Sequence, residues 1–153
     1  MKSLGTLTFW LVYPALWIYL KIGSRTRVLV IVDDSVLVLK SWLGPGQWGL
    51  PGGGLHRGEE PAVGASRELQ EETGIKVSPE DLKYLYEGQA NIKGLRFRYS
   101  CYYLVLTKRP NIKKQALEIA KVAWLPLKSV SLVSANAETY QAAQTLLKQP
   151  NLL

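Results

Sequence analysis

The chain opens on a long apolar stretch and then breaks into short aliphatic runs separated by polar turns. Residues 4–20 read LGTLTFWLVYPALWIYL, seventeen positions without a charge, with Lys2 before them and Lys21, Arg25 and Arg27 after. That length lies at the lower limit for a membrane-spanning helix. Trp10, Tyr13, Trp17 and Tyr19 suit a membrane interface, although Trp10 and Tyr13 would lie deeper. Pro14 is tolerated in lipid more readily than in a soluble helix. Three readings compete: a single membrane anchor, a cleaved signal peptide, and a helix that packs on the domain or lies flat on a membrane. The lack of a small-residue A-x-A site after the segment argues against the signal peptide. If residues 4–20 span, the basic cluster that follows stays cytoplasmic and the rest of the chain lies inside the cell.

From Arg25 the pattern changes to that of a folded domain. Aliphatic runs over 28–32 and 36–39 flank Asp33-Asp34 and predict a hairpin. Residues 48–50 predict a short strand, stopped by Pro51 and three glycines. The period becomes helical over 61–73, and Gly74 is a good C-terminal cap. Residues 83–87 and 96–107 predict further strands, the second rich in Tyr and Val. Residues 122–125 predict another, and 135–148 a closing helix capped by Ser134. No repeat or low-complexity stretch interrupts this. The expected organisation is a hydrophobic helix over 1–22 and one domain over 25–150. Mixed strands with two helices predict an α/β or α+β sandwich.

The helix over 61–73 carries the chemistry. At about 100° per residue, Glu72 lies about 40° to one side of Glu68 and Glu71 about 60° to the other. Three carboxylates thus share one face, while Ala62, Ala65 and Leu69 form the neighbouring apolar stripe. Gly64 falls on the carboxylate face, where a missing side chain leaves room for a ligand. For stability alone the arrangement is poor. Glu68 and Glu72 are a like-charge i,i+4 pair, and all three acids sit near the negative end of the helix dipole. The combined penalty is about 1 kcal/mol. An Arg67–Glu71 pair relieves part of it, and a hard cation such as Mg²⁺ relieves more. A solvated acidic face is the competing explanation.

Composition sharpens this only in part. The 153 residues are 47% apolar, enough for a core and too many for a disordered chain. One cysteine, Cys101, rules out an internal disulfide. The net charge of +7 favours anionic partners such as nucleotides, nucleic acid or acidic headgroups, or serves solubility. Against that background, five of the twelve acids (Glu59, Glu60, Glu68, Glu71 and Glu72) crowd into one short stretch.

Read from Gly53, that stretch is GGLHRGEEPAVGASRELQEETGI. Gly53 is followed, after five intervening residues, by Glu59, then by Arg67-Glu68-Leu69, Glu71-Glu72, Gly74 and Ile75. This resembles a complete Nudix box. The lead-in Trp48-Gly-Leu-Pro-Gly-Gly-Gly and the segment from Glu118 to Leu127 resemble the family's flanks. The likeness spans about residues 25–147. The resemblance implies an α/β/α sandwich around a mixed sheet. It also implies hydrolysis of a phosphoanhydride bond in a nucleoside diphosphate linked to another group, with Mg²⁺ as cofactor and Mn²⁺ as a substitute. Residue by residue, it implies metal binding by Glu68, Glu71 and Glu72, and a carbonyl ligand from Gly52 or Gly53. It implies that Glu59 and Arg67 brace the loop and helix, and it makes Glu71 or Glu118 the candidate base.

Substrate contacts are less visible. Arg96 and Arg98 alternate with Phe97 and Tyr99, offering cations on one side of a strand and packing on the other. A basic solvent face over an aromatic core explains the same pattern. Trp42 and Trp48 offer rings for a base, or simply pack. His56 reads as a surface residue and Cys101 as a core strand residue. Two rival functions stand beside nucleotide hydrolysis. One is pyrophosphohydrolysis at the 5′ end of RNA, for which no aromatic-basic RNA module is evident. The other is a non-catalytic nucleotide sensor, against which the intact set of box glutamates argues. A membrane anchor would add lipid-linked diphosphates to the substrates. The sequence does not specify an oligomeric state.

Overall fold

The structure is a computed structural model that describes residues 23–42, 46–92, 95–115 and 117–152. The helix expected over residues 1–22 lies outside them. Among the described residues no helix is long and apolar enough to cross a membrane.

Five strands, β1 (Arg25–Val32), β2 (Ser35–Ser41), β3 (Lys83–Ile92), β4 (Leu95–Leu106) and β5 (Ile119–Pro126), form one sheet in the order β3-β4-β1-β2-β5. β1 and β4 run parallel, and the other neighbours are antiparallel. The expected hairpin is β1–β2, turned at Asp33 with φ 51°, a left-handed conformation that a short polar side chain tolerates. β1 lies at the centre and is covered on both faces. That is why it reads as a continuous aliphatic run and not as an alternation.

Two helices, α1 (Pro61–Thr73) and α2 (Ala137–Leu147), complete the sandwich. On one face Val28, Val30, Leu37, Tyr102 and Leu104 pack against Ala65 and Leu69 of α1, with Ile75 and Leu82. On the other, Leu29, Ile31, Val36, Val38, Tyr99 and Cys101 pack against Ala142, Ala143 and Leu146 of α2. The expected α/β/α arrangement around a mixed sheet is present.

α1 runs between the residues its sequence predicts. Pro61 starts it, and Gly74 at φ 76° ends it, with the Gly74 N–H donating to the Gln70 carbonyl at 2.8 Å. Two expectations are corrected. Residues 48–50 form no strand of their own. Gly49 bridges to Leu39 and Trp48 bridges to Ala135, so the segment is pinned between two neighbours. The cap of α2 is Asn136, whose Oδ1 accepts from the Thr139 N–H at 2.9 Å. Ser134 instead closes the preceding turn on Ser131.

Candidate active site

Docking Ala65 and Leu69 onto the sheet leaves Glu68 and Glu72 facing the glycine-rich segment at 52–54. The Gly52 N–H donates to Glu72 Oε2 at 2.7 Å. A Cβ on Gly53 would come within 2.5–2.6 Å of the Glu68 carboxylate. Each of these two acids therefore sits against one glycine. The segment is itself stitched to β1. Thr26 N–H donates to Gly53 O and Val28 N–H to Pro51 O, both at 2.9 Å. Gly52 has φ 137°, and a Cβ there would collide with the Thr26 carbonyl.

Arg67 fans out over the acids beside it. Its Nε and Nη2 donate to the two Glu59 oxygens at 2.9 and 3.0 Å, Nη1 to Glu68 Oε1 at 2.7 Å, and Nη2 also to Gly54 O at 3.0 Å. The pairing of Glu59 with Arg67 matches the expected brace. Glu71 lies 3.6 Å from Arg67 Nη1 and is half exposed. The expected Arg67–Glu71 pair is thus the loosest of the three. Hydrogen bonding from Arg67 pulls the Glu59 carboxyl down to a pKa of about 2, helped by the His56 N–H. His56 itself is exposed, as expected. Gly64 is corrected. It is buried, and a Cβ there would strike Leu55 and crowd Glu59, so its missing side chain makes room for the brace and not for a ligand.

Glu72 is in the most unusual environment. Burial pushes its carboxyl up to a pKa of about 8; the Gly52 N–H and Arg27 oppose the rise, while Glu68 and Glu118 add to it. Glu118 is far away in sequence, yet its charge is felt at Glu72. Its peptide carbonyl accepts from Trp42 N–H at 3.1 Å, at the mouth of β2 and β5. The segment between β4 and β5 also covers the end of α1. Lys113 N–H donates to Thr73 O at 2.8 Å and Gln115 N–H to Glu72 O at 3.2 Å. The last-turn carbonyls are thereby satisfied, which reduces the cost of gathering acids there.

Two residues escaped the sequence reading. Arg27, on the α2 side of β1, forms a buried ion pair with Glu138 in the first turn of α2. Its Nη1 also donates to Gly52 O at 3.0 Å. Arg27 reads from the sequence as part of the basic flank of residues 4–20, and nothing in the sequence around Glu138 singles it out. Only the pairing of β1 with the α2 layer brings them together.

Among the described residues, no three His, Cys, Asp or Glu side chains already converge as a metal-binding group. Glu68 is turned toward Arg67, Glu72 toward Gly52, and Glu71 toward solvent. The donor types nevertheless suit a hard divalent cation: carboxylates carried on one helix, two of them set against a turn without side chains. The carbonyls of Gly52 and Gly53 accept from Arg27 and Thr26, and each retains a second lone pair.

The other expected contacts stand apart. Arg96 and Arg98 are exposed on β4, paired in register with Asn91 and Gln89 of edge strand β3, while Phe97 and Tyr99 between them are buried. No hydrogen bond or ion pair among the described residues ties these arginines to the acidic helix. Trp48 is half-buried against the α2-side core, with Lys40 Nζ 4.6 Å from its ring centroid. Trp42 is exposed. Cys101 is a buried strand residue whose thiol is raised to a pKa of about 12 by burial, which keeps it unreactive.

Comparison with known proteins agrees with this fold. Diphosphoinositol polyphosphate phosphohydrolase 2 of Rattus norvegicus is 37% identical over 75 residues, which cover 49% of this chain and 38% of the rat protein. A MutT-like protein of Streptomyces ambofaciens is 31% identical over 105 residues, 67% of this chain and 63% of that protein. The chain therefore spans less than two thirds of these relatives. Among solved structures, a bifunctional NMN adenylyltransferase/ADP ribose pyrophosphatase from Francisella tularensis, complexed with AMP and a manganese ion, superposes with a TM-score of 0.69. It is 26% identical, and the match covers 93% of this chain and 46% of that one. The family model of the NUDIX domain matches residues 23–146, from β1 into the last turn of α2. With the box residues gathered on one glycine turn and one helix, the chain belongs to the NUDIX domain family.

Proposed function

We propose that this chain is a divalent-cation-dependent hydrolase of phosphoanhydride bonds, acting on a nucleoside diphosphate-linked substrate. The observation that carries the reading is the seating of Glu68 and Glu72 on Gly53 and Gly52, with Glu118 electrostatically coupled to Glu72. Glu68, Glu71 and Glu72 would hold Mg²⁺, or Mn²⁺ in its place. When bound, the cation neutralises phosphate oxygens and acidifies a coordinated water. The protein's own part is positional. Arg67 fixes the orientation of Glu68 and ties it to Glu59 and Gly54. The glycine turn leaves space for a phosphate to approach the backbone. Glu71 and Glu118 are the candidate proton acceptors, since both are exposed and neither is spent in a tight pair.

The names of the relatives point to a shared bond and not a shared leaving group. One is named for diphosphoinositol polyphosphates and another for ADP-ribose. The test is a panel of nucleoside triphosphates, ADP-ribose, nucleotide sugars, dinucleoside polyphosphates, triphosphate-ended RNA and a diphosphoinositol polyphosphate. Each is assayed with Mg²⁺, with Mn²⁺ and with chelator. Cation-dependent release of a monophosphate from at least one nucleotide is the expected result. Tight nucleotide binding with no turnover on any substrate would instead make the chain a sensor.

A further inference from the structure

We propose that the buried Arg27–Glu138 pair is a positioning device: it sets the Gly52 peptide, and through it Glu72, from the opposite side of the sheet. The inference rests on the reading of the acidic helix as the cation site. Its basis is a continuous series of contacts. Glu138, fixed in the first turn of α2, pairs with Arg27 Nε. Arg27 Nη1 donates to both Thr26 O at 2.9 Å and Gly52 O at 3.0 Å. The N–H of that same Gly52 donates to Glu72 Oε2 at 2.7 Å. One glycine thus has its carbonyl held by the α2 layer and its amide by α1.

A second, separate attachment holds the same segment to the same end of α2. Asn136, the cap residue, donates its N–H to Trp48 O at 2.9 Å, and Trp48 N–H donates to Ser134 O at 3.0 Å. The N-terminus of α2 therefore grips the loop at residue 48 through the backbone and at residue 52 through Arg27. Stability alone does not explain the ion pair. The side chains are only 9% and 5% exposed, and well-packed apolar groups in such a place are commonly as stable as the pair. An arginine addresses a carboxylate with one edge and two carbonyls with another; a lysine ammonium, a single compact point charge, is poorly matched to that geometry.

The test uses the full chain carrying Arg27→Met with Glu138→Leu, which removes the pair without leaving a lone buried charge. Three readouts are taken. Hydrogen exchange at the Gly52 amide, in cation-free protein, is expected to speed up by about tenfold while Val30 in the sheet centre stays protected. Mn²⁺ affinity, read by paramagnetic relaxation of water without substrate, is expected to weaken by about tenfold. On any substrate turned over, kcat falls by about tenfold while KM stays within about twofold. Glu138→Gln, which keeps size and an accepting oxygen, gives the same pattern at smaller amplitude and stands in if the double variant does not fold. Arg27→Lys keeps the charge and still loses Gly52 protection. Unchanged Gly52 exchange in folded variants overturns the proposal. So does faster exchange with wild-type Mn²⁺ affinity. If the wild-type chain neither binds Mn²⁺ nor hydrolyses anything, the functional reading fails, and the exchange measurement still decides whether the pair sets the peptide.

Discussion

The Glu68 carboxylate lies where a side chain on Gly53 would begin, 2.5–2.6 Å from an ideal Cβ. The obstacle is the far end of a flexible side chain, so it moves aside at small cost to folding. Gly53→Ala is therefore expected to change stability by less than about 1 kcal/mol while lowering turnover at least about tenfold. Gly52→Ala differs, because there the collision is with the Thr26 carbonyl and the backbone has φ 137°. It is expected to cost about 1–3 kcal/mol or more in stability. Chemical denaturation beside initial rates separates the two. Equal stability losses would mean that the Glu68 contact is not the soft one described.

The Glu59–Arg67 brace has a pH signature. The Glu59 pKa is lowered to about 2 from an ordinary 4.5. Its contribution is complete above about pH 4.5 and disappears as pH falls through about 2. Glu59→Gln is expected to destabilise the protein by about 1–3 kcal/mol at pH 7 and to flatten this part of the acid limb. Thermal unfolding of both proteins from pH 7 to 2 tests this. Parallel acid limbs would show that Arg67 does not depend on Glu59.

Glu72 behaves in the opposite sense. Its folded pKa is raised to about 8, so its stabilising contribution is complete below about pH 4.5 and is lost as pH rises through about 8. In cation-free protein, Glu72→Gln is expected to remove that downward slope and to raise stability at pH 8. It also abolishes the added stability that Mn²⁺ gives the wild type, about 2.7 kcal/mol at a hundredfold excess over Kd. Cation binding to the wild type strengthens as pH rises toward 8, since the cation displaces a proton. Binding that is flat between pH 6 and 8 would contradict this.

A chain starting at residue 23 is expected to keep the fold and the turnover of the full protein. β1 begins at Arg25, and both of its sheet neighbours are strands within the matched domain. Circular dichroism, activity and membrane fractionation of the two forms are the checks. If the shortened chain aggregates or unfolds, residues 1–22 belong to the core and not to a separable anchor.

Much of this fold and site can be read from the chain because its signals are local. Pro61, Gly74 and the apolar stripe through Ala65 and Leu69 define α1 within a few turns of backbone. The glycine run and Glu59 define the loop the helix faces. What cannot be read depends on distant contacts. Trp48 and Gly49 carry a strand-like pattern, yet the partners available to them are single residues, Ala135 ahead of α2 and Leu39 of β2. Gly64 has the spacing of a ligand gap, but Leu55 and Glu59, brought back by the loop, fill it. Arg27 and Glu138 meet across 111 positions of sequence. No periodicity in either neighbourhood announces that meeting.

The parallel pairing of β1 with β4, from Arg25 opposite Tyr99 to Val32 opposite Leu106, has a consequence for biosynthesis. This seam at the centre of the sheet cannot zip until the chain has emerged as far as residue 106. The glycine turn and the acidic helix lie in the loop that the seam closes, and closing so long a loop is slow. A nascent chain therefore carries these carboxylates for some time without the glycine turn held against them. The seating of Glu68 and Glu72 on the glycine turn follows only once that seam can close, and a product truncated before β4 lacks the seam.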